Sequence, residues 1–459
     1  MNRPSRTTYA LFVLFAINTM NFYDRLIPGA VGELIKHEWS LSDTALGFLG
    51  TAFILLYAVV GVPLGRFADR HNRSRILAIG VFAWSLLTAA SGLARNFWQM
   101  VGLRLAVGVG EATCAPASSS LIGDLFPATA RARAMAVFMM GLPVGNALSY
   151  AISGRVAHQF GWQSAFYIAL LPGVACAVGA FFIVEPRRGG TELHQVGAQR
   201  RHGSPYFLVL SIPTMWWIIL SGALHNFNMY ALGSFLVPFL MRYHGAELQH
   251  ATDLAAAMYG LAGIPGLLVG GFLGDRIIRV RRNGRMLVAT VAIVLSVPLM
   301  ILALGRPPRD LIGFSLLLGL GCLTMYTYYS TVYSTIQDVI EPSLRGTAMA
   351  LYFMAMYLLG AVLGPLGLGV ISDFFTRRAA IAGGVDLTGL QGAELVRALI
   401  PFSPQGTHTA MYVVPLVGAA LAAVLFAGSR TVTGDAERLE RWMRDSASAS
   451  HEHAVATNR

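Results

Sequence analysis

Charge is scarce in this sequence. Only 12% of its 459 residues are Asp, Glu, Lys or Arg and 55% are hydrophobic, whereas a soluble domain of this size carries roughly 25% charged residues. That shortage argues against a water-soluble fold. Cysteine is scarcer still: Cys114, Cys176 and Cys322 are the only three, each inside an apolar stretch. They show neither paired nor metal-ligand spacing, so they read as buried small residues and exclude a disulfide framework. Signatures of catalysis are missing as well. No GxSxG, HExxH, Walker or metal-ligand cluster occurs, which argues against a membrane enzyme or receptor and leaves no cofactor expected.

What is present is long apolar runs. They last about 20 to 25 residues, the length with which one helix crosses roughly 30 Å of hydrocarbon at 1.5 Å per residue. A transmembrane barrel would need alternating segments of about ten residues, and the runs at 170–184 and 413–427 do not alternate. The expected fold is therefore an all-α membrane protein of twelve transmembrane helices in two six-helix bundles. The expected spans are 9–35, 44–67, 75–95, 97–126, 132–158 and 163–184, then 214–243, 252–275, 286–305, 311–337, 346–375 and 410–429. On this division residues 1–184 form an N-terminal bundle, 185–213 a linker, 214–429 a C-terminal bundle and 430–459 a polar tail. Within the tail, 436–444 reads either as a short amphipathic helix on the membrane surface or as disorder. The first apolar run follows Arg3 and Arg6 as a signal peptide would, but no small-residue cleavage site follows, so it is expected to remain as the first helix.

The net charge of +11 lies beside alternate ends of these runs: at Arg66, Arg70, Arg73 and Arg75; at Arg187, Arg188, Arg200 and Arg201; and at Arg276, Arg279, Arg281, Arg282 and Arg285. This is the positive-inside pattern, which puts both termini in the cytoplasm and accounts for the basic pI without nucleic acid as a partner. An internal repeat supports two halves. Gly65-Arg-Phe-Ala-Asp69-Arg70 recurs as Gly271-Phe-Leu-Gly-Asp275-Arg276, 206 residues on, and Arg131 with Ala134-Met135-Ala136 recurs as Arg345 with Ala348-Met349-Ala350, 214 residues on. Two echoes at nearly one offset imply a duplicated unit.

Charged residues inside spans are the functional candidates, since each costs about 2.5–3.5 kcal/mol at mid-membrane on insertion scales. Span 1 holds Asp24 and Arg25, span 4 Arg104 and Glu111, and span 7 His225 with Asn226 and Asn228. Span 10 carries hydroxyls and aromatics, Tyr326, Tyr329 and Ser330 among them. Polarity thus recurs every third helix, as expected if spans 1, 4, 7 and 10 line an aqueous cavity while 3, 6, 9 and 12 face lipid. Asn18, Asn21, Tyr23, Thr113, Asn146, Tyr150 and Tyr230 join the expected cavity wall. Arg104 and Glu111, two turns apart, share a face about 10 Å apart along the axis. Asp24 is the expected partner of Arg104, and Arg25, about 100° round the helix, is expected towards span 5 or the far mouth. Glu111, flanked by Val109, Gly110 and Ala112, is a carboxylate in an apolar wall. Proton exchange through Glu111 and Asp24, sensed by Arg104, is one reading, and a permanent ion-pair network is the other. His225 is either a packing residue or a titratable one. The span 10 tyrosines are either glue between helices or cavity wall. Met135, Met139, Met140, Met349, Met354 and Met356 offer a soft wall or plain core packing. Gly141, Pro143, Gly145 and Gly154, with Gly360, Gly364, Pro365 and Gly367, permit close approach or bending of spans 5 and 11.

GRFADRHNRSR at 65–75 resembles the loop 2–3 signature of the major facilitator superfamily, with Asn72 where the signature has glycine. Arg104 followed by Gly108, and GWQSAF at 161–166, resemble further signatures of that family. The resemblance implies that Asp69 and Asp275 hold a cytoplasmic gate shut against the starts of helices near Arg345 and Arg131, a helix N-terminus welcoming a carboxylate. Gly65, Arg70, Arg73, Arg75 and Arg276 belong to the same gate. More narrowly, Asn21-Phe22-Tyr23-Asp24-Arg25, Gly108-Val109-Gly110-Glu111-Ala112 leading to Asp124-Leu125-Phe126, and Leu142-Pro143-Val144-Gly145 resemble the Spinster group of lipid transporters. That resemblance implies proton-coupled movement of lysophospholipid- or sphingosine-phosphate-like lipids by alternating access, with Asp24, Arg104 and Glu111 at the functional positions. A symporter of small organic anions such as sugar acids, or a multidrug exporter, is the alternative. The arginine-rich, almost lysine-free composition points to a bacterial inner membrane, and a monomer is expected.

Overall fold

The computed structural model describes residues 3–126, 128–186, 204–341 and 344–457, and their side chains apart from those of residues 3–5, 58, 62, 65–70, 128–129, 131–132, 346 and 445–457. Among the described residues every regular element is helical. Span 1 is α1 (Arg3–Trp39), span 2 α2 (Asp43–Arg70) and span 3 α3 (Arg73–Ser91). Span 4 is α4 (Phe97–Glu111) with α5 (Cys114–Leu125), span 5 is α6 (Ala128–Met139) with α7 (Gly141–Phe160), and span 6 is α8 (Trp162–Ile168) with α9 (Leu170–Phe181). After α10 (Pro205–Leu210), span 7 is α11 (Pro213–Arg242). Span 8 joins α12 (Leu248–Ala255), a π-helical turn (Ala256–Leu261) and α13 (Gly263–Ile277); span 9 is α14 (Gly284–Leu304) and span 10 α15 (Leu311–Val339). Span 11 joins α16 (Arg345–Ala355), a second π-helical turn (Met356–Ala361) and α17 (Leu363–Ala382). Then α18 (Gly392–Leu399) precedes span 12, made of α19 (Ser403–Met411) and α20 (Val413–Thr457).

Nine helices among the described residues are long and apolar enough to cross a membrane. The three spans outside that set are 1, 4 and 7. Local chemistry starts several helices. Ser42 Oγ accepts from Ala45 N at 3.1 Å to open α2, Asn96 Oδ1 accepts from Gln99 N at 2.9 Å to open α4, and Asp310 Oδ1 accepts from Gly313 N at 2.9 Å to open α15. Asn72, the departure from the signature glycine, caps α3 by accepting from Arg75 N at 2.8 Å. The linker region holds a helix, α10, opened by Pro205 at a position that needs no backbone donor. One sequence expectation is corrected. The tail is neither a separate surface helix nor disorder over 436–444 but part of α20. It docks on the bundle: Asp435 Oδ2 accepts from Thr214 N at 2.9 Å and from Thr214 Oγ1 at 2.6 Å, and Arg282 reaches Glu440 at 3.0 Å.

The repeat seen in the sequence recurs in packing. Glycine at 145 lets span 5 lie directly on the Thr19 carbonyl of span 1, and glycine at 360 lets span 11 lie on the Ala223 carbonyl of span 7; a Cβ at either would meet main chain. Arg73, opening span 3, pairs with Asp124 at the end of span 4 at 2.6 Å, and Arg285, in the first turn of span 9, pairs with Asp338 at the end of span 10 at 2.7 Å. Spans 3, 6, 9 and 12 leave large apolar side chains exposed along their outer sides, including Phe82, Leu171, Leu295 and Leu416.

The first and last helices start and finish on the same face, here the termini face. Among the described residues, polar links between the halves lie at mid-span or towards the opposite face. They include Arg25 with Tyr230 and Tyr357, Asn146 with Tyr326, Tyr150 with the Gly233 carbonyl, Arg155 with Asp253, Arg242 with Glu33 and Asp43, and Asp373 with the start of α2.

Candidate functional site

The charged residues of spans 1 and 4 meet at the seam between the halves. Arg25 Nε donates to Glu111 Oε2 at 2.9 Å, and both side chains are almost wholly buried. Arg25 Nη1 extends across the seam to the hydroxyls of Tyr230 and Tyr357, at 3.3 Å each. The guanidinium sits among the rings of Tyr57 (4.7 Å), Phe22 (5.0 Å) and Phe53 (5.4 Å), faces that favour a cation. Arg104 is also buried, 5.0 Å above the Phe53 ring, and its Nη1 donates at 3.2 Å to the main-chain carbonyl of Asp24. Asp24 turns its carboxylate into the N-terminal half, where Trp84 and Thr88 of α3 face it without closing a hydrogen bond of ordinary length.

This corrects the expected pairing. Adjacent residues on a helix point about 100° apart, and the rotation of α1 aims Arg25, not Asp24, at Glu111 and at the C-terminal half. Arg104 reads the backbone of Asp24 rather than its carboxylate. The site thus holds two carboxylates and two guanidiniums but one close side-chain pair. Both Asp24 oxygens, Arg104 Nε and Nη2, Glu111 Oε1 and Asn21 Nδ2 have no protein hydrogen-bond partner. Buried polar groups in that condition are uncommon.

The other expected wall residues divide. Tyr230 reaches Arg25; Asn146 Nδ2 donates to Tyr326 OH at 3.1 Å across the seam; Tyr150 OH donates to the Gly233 carbonyl. Tyr23 OH accepts from Ser153 Oγ at 3.5 Å. Four more are tied within their own half: Asn18 to the Phe138 carbonyl, Thr113 to Gly110, Asn226 to Gly222 and Ser330 to Thr327. His225 is buried within the C-terminal half, stacked on Tyr328 at 4.0 Å and edge-on to Tyr329 at 4.8 Å, with neither ring nitrogen hydrogen-bonded.

The gate implied by the resemblance is described only in part. The side chains of Gly65, Asp69, Arg70 and Arg131 lie outside the described residues. Asp275 pairs with Arg285 of its own half at 2.8 Å. Arg345 donates to the Gln337 carbonyl at 3.0 Å, again within its half, and Arg276 is exposed. Arg73 holds Asp124 and Glu185, while the Arg75 backbone is spent on the Asn72 cap. Among the described side chains of the termini face, the contacts of Arg73, Asp275 and Arg345 fall within one half.

The opposite face carries a closure that sequence reasoning missed. Arg242, last residue of α11, donates from Nε to Glu33 Oε1 at 2.9 Å and from Nη1 to Asp43 Oδ2 at 2.9 Å and Thr407 Oγ1 at 2.8 Å. Lys36 also pairs with Asp43. Asp373 of α17 accepts from Asp43 N at 2.9 Å and Thr44 N at 2.8 Å, capping α2 from the other half. The available signal was a charge in the last turn of span 7 and at the ends of span 1, which composition alone reads as ordinary loop charge.

The profile of the Major Facilitator Superfamily matches residues 11–365. An MFS-type efflux pump of Mycolicibacterium smegmatis is 30% identical over 377 residues, covering 81% of this chain and 86% of that protein. Mouse protein spinster homolog 1 is 28% identical over 401 residues, covering 81% and 74%. The crystal structure of a bacterial homolog to the human lysosomal transporter Spinster, in an inward-facing and unoccupied conformation, superposes with a TM-score of 0.81 at 27% identity over 94% of this chain and 98% of that one. The chain belongs to the Major Facilitator Superfamily of transporters and within it is similar to the Spinster proteins.

Proposed function

We propose that the chain is a proton-coupled carrier of amphipathic lipid anions, lysophospholipid- or sphingosine-phosphate-like, working by alternating access between its halves. The observation that carries this reading is the buried Arg25–Glu111 pair at the seam, joined to Tyr230 and Tyr357 of the other half. A proton on Glu111 removes the counter-charge of Arg25, and a buried guanidinium without one attracts an anion. Phosphate or carboxylate of a lipid headgroup meets that need, with the two tyrosine hydroxyls as further donors. Asp24 and Arg104, neutral as a pair, hold the local field beside it. The acyl chain is assigned to the aromatic and methionine side chains of the C-terminal half, around Tyr333 and Met356. The arginines of the loops make the termini face cytoplasmic, so a molecule held together at mid-span and at the far end is shaped to open towards the cytoplasm of a bacterial inner membrane. The similarity to an inward-facing bacterial relative of Spinster supports that shape. The proposed carrier works as a monomer, without cofactor. The 30% identity to an efflux pump favours a second reading, export of lipophilic compounds by the same site.

The test is proton entry into proteoliposomes, followed with an internal pH dye, on adding a lysophospholipid or a sugar acid to wild type and Glu111→Gln. Lipid-triggered flux lost in the variant supports the proposal. Flux with the sugar acid alone transfers the site to small organic anions, and no flux with either overturns proton coupling.

A further inference from the structure

We infer that Tyr357, set in the π-helical turn of span 11, is the positioning residue through which the Arg25–Glu111 pair acts on the closure at the opposite face; the inference rests on the proton-coupled reading above. One planar guanidinium holds both partners. Its Nε is on Glu111 at 2.9 Å and its Nη1 is on the Tyr357 hydroxyl at 3.3 Å, and because the fork is rigid, a shift that relaxes one bond moves the other. Tyr357 also lies edge-on to Tyr57 of span 2 at 5.1 Å, so its ring is seated whether or not the hydroxyl is bonded.

The backbone beneath Tyr357 is built to rearrange. Residues 356–361 form a π-helical turn between α16 and α17. Such a turn has one residue more than the α-helix needs, and passing that surplus along the helix swings a side chain by about 100° without unfolding it. Tyr230 shares Nη1 but stands in α11, which is held at both ends: Asp435 bonds Thr214 at its start and Arg242 is clamped at its end. Of the two bridging tyrosines, Tyr357 is therefore the one carried on a backbone with a residue to spare. Beyond it α17 runs to Ser372 and Asp373, about 22 Å along the axis at 1.5 Å per residue. Ser372 donates to Asp43 Oδ2 at 2.6 Å, and Asp373 caps α2. Displacement of span 11 at Tyr357 thus arrives at the residues that hold the opposite face shut.

The experiment uses the full chain in nanodiscs, its native cysteines replaced, with spin labels on Arg95→Cys and Arg309→Cys, two exposed loop positions of the opposite face on different halves. Distance distributions are measured by double electron–electron resonance across pH for wild type, Tyr357→Phe and Tyr352→Phe. Phenylalanine at 357 keeps the ring contact and deletes only the bond to Arg25. Tyr352, whose hydroxyl lies 3.1 Å from that of Tyr328 within the C-terminal half, is the control. The expected result is an acid-driven change in population that is at least twofold smaller in Tyr357→Phe and intact in Tyr352→Phe. An unchanged pH profile in Tyr357→Phe, an equal loss in Tyr352→Phe, or a wild type without any pH response overturns the inference. No substrate is present in this measurement, so its failure is separable from failure of the lipid flux assay.

Discussion

Replacing Arg242 by alanine should open the face opposite the termini, and the size of the effect follows from its partners. Four side chains depend on this guanidinium or share its cluster: Glu33, Asp43, Thr407 and, through Asp43, Lys36. Removing one member of a buried ion pair costs about 3–5 kcal/mol, because the charge left behind has lost its counter-charge but not its burial. Asp43 keeps Lys36, so the stranded charge is Glu33, whose remaining partner is the exposed His37 at 3.2 Å. The lower end of the range applies, about 3 kcal/mol. The penalty falls on the closed arrangement alone, since parting the halves there admits water to Glu33 and Asp43. At 1.4 kcal/mol per power of ten, the population ratio should shift about a hundredfold towards the open face. The Arg95–Arg309 spin-label distance reads this directly, with a long component growing in Arg242→Ala and to a smaller extent in Arg242→Lys, which keeps the charge but not the fork. Distributions that coincide with wild type in both variants would refute the reasoning.

A side chain at Gly47 tests the same closure by sterics: its Cβ would run into the Pro365 carbonyl of span 11, and overpacking of this kind costs about 1–3 kcal/mol. Gly47→Val should therefore lengthen the same distance, by less than Arg242→Ala, and a distance equal to wild type would refute the steric reading. On the termini face, burial pushes the Glu185 carboxyl up, but hydrogen bonds from Arg73 (2.7 Å) and from Ser74 N and Oγ (3.0 Å each) outweigh it and hold it below the ordinary carboxylate range. A carboxyl lowered on folding stabilises above its unfolded range and loses that contribution as pH falls through its folded value. Thermal unfolding in detergent should show Glu185→Gln less stable than wild type at neutral pH, with the gap closing in acid. A gap independent of pH would refute the assignment.

The fold was legible because hydrocarbon forces every span to announce itself as an apolar run, and because duplication left Asp69 and Asp275 in matching surroundings. The polar residues of spans 1 and 4 were legible for the same reason, being expensive where they are. What could not be read was rotation. Asp24 and Arg25 are neighbours in the chain, and whichever faces the seam depends on how α1 settles against spans 4 and 5, a property of packing spread over the whole helix. Composition is equally silent about surplus residues: nothing in Met356-Tyr357-Leu358-Leu359-Gly360-Ala361 distinguishes a π-helical turn from a regular one. The Arg242 cluster was hidden because its members come from spans 1, 2, 7 and 12, and each alone looks like a charge near a loop. Asn72 was read as a departure from a motif until its carboxamide was seen to open α3.

The unbroken run of α20 has a practical consequence. From residue 430 to residue 457 the helix continues for 28 residues past span 12, about 40 Å at 1.5 Å per residue, and Asp435 and Arg282 fasten its base to the C-terminal half. It is a lever arm. For every 10° that half turns about an axis across the arm, the far end sweeps about 7 Å. A rigid protein fused in helical register to this arm would serve at once as a fiducial for imaging a 49.3 kDa chain and as a pointer whose bearing records which way the carrier faces.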